Sequence, residues 1–403
     1  MRRTTITSAT IGLGAAFYVL FIAGGARFAI GLTLKAVVEE LAGGRSELGL
    51  AVALFQFVSA ACMYGAGRLS DRTSPRLVLG GGLAIAGVGI GLMAAPWHAL
   101  VLYGVVFAIG HGAASLIPLG VIVTRTFSRR TGLANAVVSS GMSVGQLVLI
   151  TALAAVLVWT GWRSVFLWLG LAHLGLVPLL LRALPAGGGS EAAAAAVPAG
   201  LDPPRAARTR QFWLLLGVYA LCGLDDFFVS THVVAFAQDR GLEAFLAGNL
   251  LAGMGLTALV GVVASGAWSD RAGPVWPTAA SFVARLAVFG LILVDQSTLS
   301  VAIFALVFGA TFLVTAPLTV IFVAQSFGTR HLGALSGLII MVHHTFGGLG
   351  AYLGAATFDR FGGYDLAFVV MAVSNVLALA LTVGLRRPVS RSGVLPAFGP
   401  RRP

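Results

Sequence analysis

The sequence predicts an all-α polytopic membrane protein of twelve transmembrane helices in two pseudo-symmetric six-helix halves. Composition is the first observation behind this. Of 403 residues, 58% are hydrophobic and 10% charged, where a soluble domain carries about a quarter charged. The second is the length of the apolar runs, since a helix crosses a bilayer with about 20 residues. The third is a repeat. Gly67-Arg68-Leu69-Ser70-Asp71-Arg72 returns as Gly266-Ala267-Trp268-Ser269-Asp270-Arg271, 199 positions later.

Taken in order, the runs place spans at 11–34, 46–66, 76–95, 99–122, 132–157, 162–183, 211–237, 243–267, 275–294, 299–322, 333–357 and 364–385. The start, Met1-Arg2-Arg3, resembles a signal peptide. The run after it reaches Leu34 with only Arg27 interrupting, too long for a cleaved segment, so it reads as an uncleaved first span. The longest break holds Pro185, Gly187-Gly188-Gly189, an alanine run and Pro203-Pro204. It reads as a flexible linker over 184–210, between a first half at 1–183 and a second at 211–403 with a short basic tail. With the N-terminus inside, inner loops and termini hold 19 of the 26 Lys and Arg and outer loops five, so both termini are expected in the cytoplasm. The location expected is a bacterial inner membrane.

A net charge of +12 suggests nucleic acid in a soluble protein. Here the arginines lie in short loops between apolar runs, so topology accounts for them and no nucleic-acid partner is expected. Cys62 and Cys222 both fall inside apolar runs, which excludes a disulfide framework and a cysteine-rich metal site.

The densest charge cluster is Gly67 to Arg76. Gly67 permits close helix approach. Asp71 can meet helix N-termini, and Arg68, Arg72 and Arg76 can pair with acids or lipid phosphates. This reads as a latch that holds one arrangement of the halves, with Asp270 and Arg271 as its second copy. The alternative is plain positive-inside anchoring, for which Asp71 and Gly67 are not needed. Ala267 and Val275 stand where Arg68 and Arg76 do, so the latch is expected to be stronger in the first half. Pro118 matches Pro317 at the same offset. Parallel six-span halves are the mark of the major facilitator architecture.

Within that superfamily the chain resembles the monocarboxylate transporter family, in its bacterial branch of oxalate/formate exchanger relatives. The resemblance lies in Gly31-Leu32-Thr33-Leu34 with Glu39-Glu40-Leu41 and Arg45-Ser46-Glu47-Leu48, and in Arg125 to Ala134 with Gly161-Trp162-Arg163. It continues in Phe212-Trp213-Leu214-Leu215, Phe228-Val229-Ser230-Thr231-His232 and Phe358-Asp359-Arg360-Phe361-Gly362-Gly363-Tyr364. It implies a small organic anion as substrate, proton coupling, and a monomer. One departure concerns cargo. The family commonly places a substrate-binding arginine in span 8, where this chain has Val262, with Ala258 one turn earlier.

Ionisable groups inside spans are costly and become the site candidates. Arg27, in span 1, is the replacement cation for a carboxylate, unless it snorkels outward. Asp225 and Asp226, in span 7, are candidates for proton coupling. Asp226 is the repeat partner of Arg27, and the pair reads either as a coupling device or as a static ion pair. The two aspartates point about 100° apart on a helix, so only one is expected to be central. His111 and Ser115 share a face of span 4 and can hydrogen-bond a carboxylate or relay a proton. His232, near the outer end of span 7, and Tyr18 complete the candidate ligands. His343 and His344 face different ways in span 11. Asn249, Gln146 and Asn375 read as helix glue, and Arg285 in span 9 as an inward salt bridge. Glycine runs at 80–91 and 347–354 lack a following Lys-Ser/Thr and read as helix packing. No cofactor, metal or enzymatic activity is expected.

The function read from these residues is proton-coupled transport of small organic anions, most directly monocarboxylates, by alternating access. The alternatives are an exporter of hydrophobic or cationic compounds, which Val262 and Ala258 favour, an anion exchanger, or a membrane sensor that binds without translocating.

Overall fold

The structure, a computed structural model, describes residues 2–41, 43–95, 98–115, 119, 131–183, 200–328 and 330–386. Within these, the side chains at 2–11, 64, 67, 68, 70–72, 75 and 131–136 are outside the description. The helices are α1 Arg2–Ala26, α2 Ala29–Leu41, α3 Arg45–Arg72, α4 Pro75–Leu92, α5 Ala99–Ala113, α6 Thr131–Thr160 and α7 Trp162–Ala183. After the linker come α8 Pro203–Ala206, α9 Arg210–Asp239, α10 Ala244–Ala272, α11 Val275–Val294, α12 Thr298–Phe312, α13 Thr315–Phe327, α14 Leu332–Phe361 and α15 Asp365–Gly384. Among the described residues, ten stretches are long and apolar enough to cross a membrane. The shorter apolar helices Arg76–Leu92 and Ala99–Ala113 complete the expected twelve. In lipid only helices or closed barrels satisfy their own backbone, which is why every span is helical.

Both halves pack by one plan. In the first, span 1 lies on span 5, span 2 on span 4 and span 3 on span 6; in the second, 7 lies on 11, 8 on 10 and 9 on 12. Glycines set the closest approaches. A Cβ on Gly24 would lie 2.4 Å from the Met142 carbonyl of span 5, and one on Gly223, its repeat partner, 1.9 Å from the His343 carbonyl of span 11. A side chain at either place would push the spans apart.

Among the described residues, two spans are broken near their middles. Span 1 breaks at Arg27–Phe28, between α1 and α2, and span 10 at Leu313–Val314, between α12 and α13. Pro317 explains the second: it offers no N–H to the Leu313 carbonyl and its ring crowds that group. The amide of Ala316 bonds the Leu313 carbonyl instead, at 3.2 Å. The breaks meet, since the rings of Phe28 and Phe312 are 6.1 Å apart. Pro118 lies outside the described residues.

The charged stretch 67–76 is less of a loop than its composition suggests. Helix α3 runs on through Arg72, and the turn is only Thr73–Ser74. Nothing from 67 to 72 breaks a helix, whereas Pro75 fits the first position of the next one. The second copy is likewise the end of α10, closed by Gly273 at φ 78°. The linker is also shorter than expected, because residues 200–209 fold onto the second half. Leu201 donates its amide to the Phe327 carbonyl (2.8 Å), Asp202 caps α8, and Ala206 is buried in the second half's core.

Among the described residues, three apolar cores show how the halves sit. One is shared, and draws residues from both halves at the end carrying the turns 43–44, 240–243 and 362–364. The other two belong to one half each, one built around Leu20, Leu79 and Leu180, the other around Phe212, Phe322 and Leu335. Among the described residues the halves are therefore joined at one end and have separate cores at the other, where α3 ends in residues 67–72. The joining contacts are span 2 on span 11, span 5 on span 8, and α2 on span 7.

Candidate functional site

Arg285 is fully buried in α11, and its partners define the centre of the second half. Its Nη2 lies 2.7 Å from Asp226 Oδ1, and its Nη1 3.9 Å from Asp225 Oδ2. Its Nε donates to Thr311 Oγ1 (2.9 Å) and its Nη2 to the Thr311 carbonyl (3.0 Å). That carbonyl belongs to the last turn of α12, where the break removes regular helical donors. The inward salt bridge expected of Arg285 is thus present, and the same arginine stabilises the break. Both aspartates reach it, where the helical geometry suggested only one would be central. Asp225 also accepts from the Ser374 hydroxyl (2.6 Å), and the Cys222 thiol donates to Asp226 Oδ2 (3.5 Å). His343 adds a further group. Its Nδ1 donates to the Tyr219 carbonyl (3.2 Å), and its Nε2 faces Asp226 Oδ2 at 3.6 Å. Cys222, Asp226 and His343 hold their donor atoms within 4.8 Å of one another.

Arg27 stands differently. It lies at the break of span 1, half-buried, with its guanidinium 4.9 Å from the Phe28 ring and 5.1 Å from the Phe227 ring. Among the described residues no carboxylate comes within 4.0 Å of it. Asp226 and Tyr103 are within its electrostatic reach, as are His111, His343 and His344. The Asp226 carboxylate pairs with Arg285 rather than directly with its repeat partner Arg27.

His111 and Ser115 are buried in the first half, His111 against the rings of Phe55 (5.1 Å) and Phe107 (5.5 Å). His343 and His344 both lie against Phe227, with ring centroids 5.8 and 5.4 Å away, and 5.7 Å from each other. Tyr18 has an exposed ring beside Phe17 and Phe21, two turns of α1 before Arg27. Asp270 is exposed, and Arg271 donates to the Ala267 carbonyl of its own helix (3.2 Å). The side chains of Gly67, Arg68, Asp71 and Arg72 lie outside the described residues. Val262 is half-buried and Ala258 buried in α10, so span 8 brings no cation to the centre.

His232 belongs to another cluster, at the joined end. Its Nε2 donates to the Ala351 carbonyl (2.8 Å) and its Nδ1 accepts from the Tyr364 hydroxyl (3.1 Å). That hydroxyl accepts in turn from Arg45 Nη1 (2.5 Å). Arg45, from the first half, also pairs with Asp239 (2.8 Å) and lies over the Phe358 ring at 3.5 Å. Lys35 reaches Asp239 too, at 3.1 Å. Asp359 takes the backbone amides of Arg45 (2.9 Å) and Ser46 (2.8 Å), so a carboxylate of the second half caps the N-terminus of α3 in the first. In the sequence, Arg45 and Asp359 stand only as parts of the motifs that carry the family resemblance, and nothing singles out Lys35 or Asp239. Their pairing needs the fold, because partners such as Arg45 and Asp359 are 314 residues apart.

A family model described as Major Facilitator Superfamily matches residues 16–248 and 215–403. The uncharacterized MFS-type transporter YcxA of Bacillus subtilis (strain 168) is 26% identical over 360 residues, covering 82% of this chain and 83% of that protein. Monocarboxylate transporter 13 of Rattus norvegicus is 28% identical over 318 residues, covering 75% and 71%. Among solved structures, a bacterial homolog of the human lysosomal transporter Spinster aligns with TM-score 0.79 at 15% identity, covering 96% of this chain and 98% of that one. A mutant of the nucleoside transporter NupG aligns with TM-score 0.77 at 13% identity, covering 93% and 100%. The paired halves, their repeated packing and the match of the family model to nearly the whole chain lead to one conclusion: this chain belongs to the Major Facilitator Superfamily and is a multi-pass membrane transporter of small molecules.

Proposed function

We propose that the chain moves small organic anions, chiefly monocarboxylates, together with protons by alternating access. One observation carries this reading. Arg27 presents its guanidinium at a helix break where the halves meet, between two aromatic rings and with no carboxylate on it among the described residues. A cation so placed suits a carboxylate that brings its own charge, and broken helices are where transporters of this kind hold substrate. Arg285, by contrast, is already engaged by Asp225 and Asp226.

The proton falls to Asp226 and His343. His343 uses its Nδ1 proton on the Tyr219 carbonyl, which turns Nε2 toward Asp226 Oδ2. Two acceptors facing each other gain by sharing one proton. A proton taken up there weakens the hold of Asp226 on Arg285 and changes the field felt by an anion at Arg27. With both termini in the cytoplasm, as the arginine distribution suggests, the joined end faces outward and the described state opens inward. The resemblance to monocarboxylate transporter 13 adds support for the substrate class.

The test is uptake into proteoliposomes under an imposed pH gradient. Short monocarboxylates accumulate on the alkaline side. Arg27→Ala abolishes the accumulation, and Asp226→Asn uncouples it from the gradient. Normal transport by both variants sinks the assignment. The second reading, export of hydrophobic or cationic compounds, is favoured by Val262 and Ala258. It is tested by drug resistance in a pump-deficient host.

A further inference from the structure

Cys222, Asp226 and His343 gather a thiol, a carboxylate and an imidazole where span 7 packs on span 11. Cys222 and Asp226 are four residues apart in α9 and so share a face. His343 comes from α14, which Gly223 lets approach so closely that a Cβ there would collide with the His343 carbonyl.

The donor atoms are spaced as metal ligands are. Zinc holds a thiolate sulfur at about 2.3 Å and an imidazole nitrogen or carboxylate oxygen at about 2.0–2.2 Å, which puts tetrahedral ligands about 3.3–3.7 Å apart. Asp226 Oδ2 lies 3.5 Å from Cys222 Sγ and 3.6 Å from His343 Nε2. All three atoms lie within 4.8 Å of one another, so side-chain rotation alone can close the third edge. Each atom is also available. His343 uses its Nδ1 proton on the Tyr219 carbonyl, which leaves the Nε2 lone pair facing Asp226. A carbonyl on the far nitrogen is how a ligating imidazole is usually oriented. Asp226 gives Oδ1 to Arg285 and turns Oδ2 to the cluster. The Thr315 hydroxyl lies 3.5 Å from Cys222 Sγ and marks the fourth corner, which it or a water fills. His343 keeps 16% of its side chain exposed, so an ion arriving from solvent can reach the cluster.

Charge points the same way. Asp225, Asp226 and Arg285 are all buried, and two carboxylates against one guanidinium leave one negative charge over. Asp225 Oδ2 has no hydrogen-bond partner among the described residues. Buried charge persists when it is compensated. A divalent ion on a Cys222 thiolate adds two positive charges and one negative, which brings the group to neutrality. Arg285 stands 3.5 Å from the sulfur, and the three anions offset its repulsion of the ion.

We propose that Cys222, Asp226 and His343 bind a divalent transition-metal ion of the zinc class, tying span 7 to span 11 within the second half. Thiolate and imidazole select such an ion over magnesium or calcium, which take oxygen ligands. Binding releases the thiol proton of Cys222 to solvent. The ion also uses the atoms that share a proton in the coupling proposed above, so metal and proton exclude each other. That consequence rests on the proton reading, whereas the binding does not.

The experiment titrates Co2+ and then Zn2+ into the purified full-length chain, reduced and free of any histidine tag. Co2+ should give thiolate-to-cobalt charge-transfer absorption that saturates at about one equivalent per chain, and Zn2+ should abolish it by displacement. Cys222→Ser should remove the band, and Cys62→Ser, which changes the only other cysteine, should keep it. His343→Ala and Asp226→Asn should each weaken Co2+ binding by at least about tenfold, the least that loss of a supporting partner costs a metal site. Zn2+ should raise the melting temperature of the unaltered protein and not that of Cys222→Ser. No band in the unaltered protein overturns the proposal, and that readout depends on the folding of no variant. A band that survives in Cys222→Ser, or is lost in a folded Cys62→Ser, overturns it too. A chain that binds Co2+ through Cys222 but transports no carboxylate upholds the metal site and sinks the transport reading alone.

Discussion

Arg45 and Arg285 are both buried and both paired with aspartate, yet they do opposite kinds of work. Every partner of Arg285 lies in its own half: Asp225, Asp226, Cys222 and Thr311. It is a fixed part of one rigid body. The side-chain partners of Arg45 lie across the joint, in Asp239, Tyr364 and Phe358. In the alternating access proposed above, its contacts break when the joined end opens. Asp239 also keeps more contact with water than Asp226 does, with side-chain exposures of 22% and 3%. Removing one member of a dry pair strands a charge, whereas a wet pair exchanges readily with solvent. The pair within one half is therefore the dry one, and the pair that the proposed alternating access would separate is the wetter one.

The largest effect is expected from Arg285→Met, which leaves two buried carboxylates facing each other without their cation. A loss of about 3–5 kcal/mol follows, seen as a large fall in melting temperature in detergent. Adding Asp225→Asn and Asp226→Asn to the same variant restores much of the stability but not the proton-coupled uptake proposed above. If the single variant melts like the unaltered protein, Arg285 is not the scaffold described. Next is Asp239→Asn, which frees Arg45 and Lys35. Hydrogen bonds to charged groups contribute about 1.5–3 kcal/mol. The joined end should then open in a sizeable fraction of molecules while each half stays folded. Spin labels at Glu47 and Arg360, both exposed on opposite sides of the joint, should report a longer distance with little change in melting temperature. An unchanged distance removes the gate from Arg45. Asp359→Ala is the mildest, at about 1 kcal/mol for a lost cap. It should move the same distance distribution in the same direction, by less.

The helical spans were legible in the sequence because apolar length is a local, one-dimensional signal, and the 199-residue repeat pointed to two halves; the packing of span on span was not. The break in span 10 was in principle legible through Pro317, whereas that in span 1 carries no proline and shows only in the fold. Arg285 was legible as a salt-bridged residue because a charge inside a span has to be neutralised. Its partners were not, since they depend on which faces of spans 7 and 10 turn toward span 9. Cys222 was legible only as a residue of an apolar run, because its place beside His343 depends on how span 7 packs on span 11. The joined end was the least legible, because Asp239 and Asp359 look like any loop acids until the halves are assembled.

The carboxylate of Asp359 on the first turn of α3 links conformation to backbone protection. While the halves are joined, the amides of Arg45 and Ser46 are held by an acceptor from the other half. When the joint opens, Gly44 supplies no side chain to replace it, so those two amides are left to water and the first turn of α3 frays. Their hydrogen exchange is thus a label-free clock for the transport cycle. It runs slowly while the end is shut and quickly while it is open, and it slows again when a ligand favours the shut state.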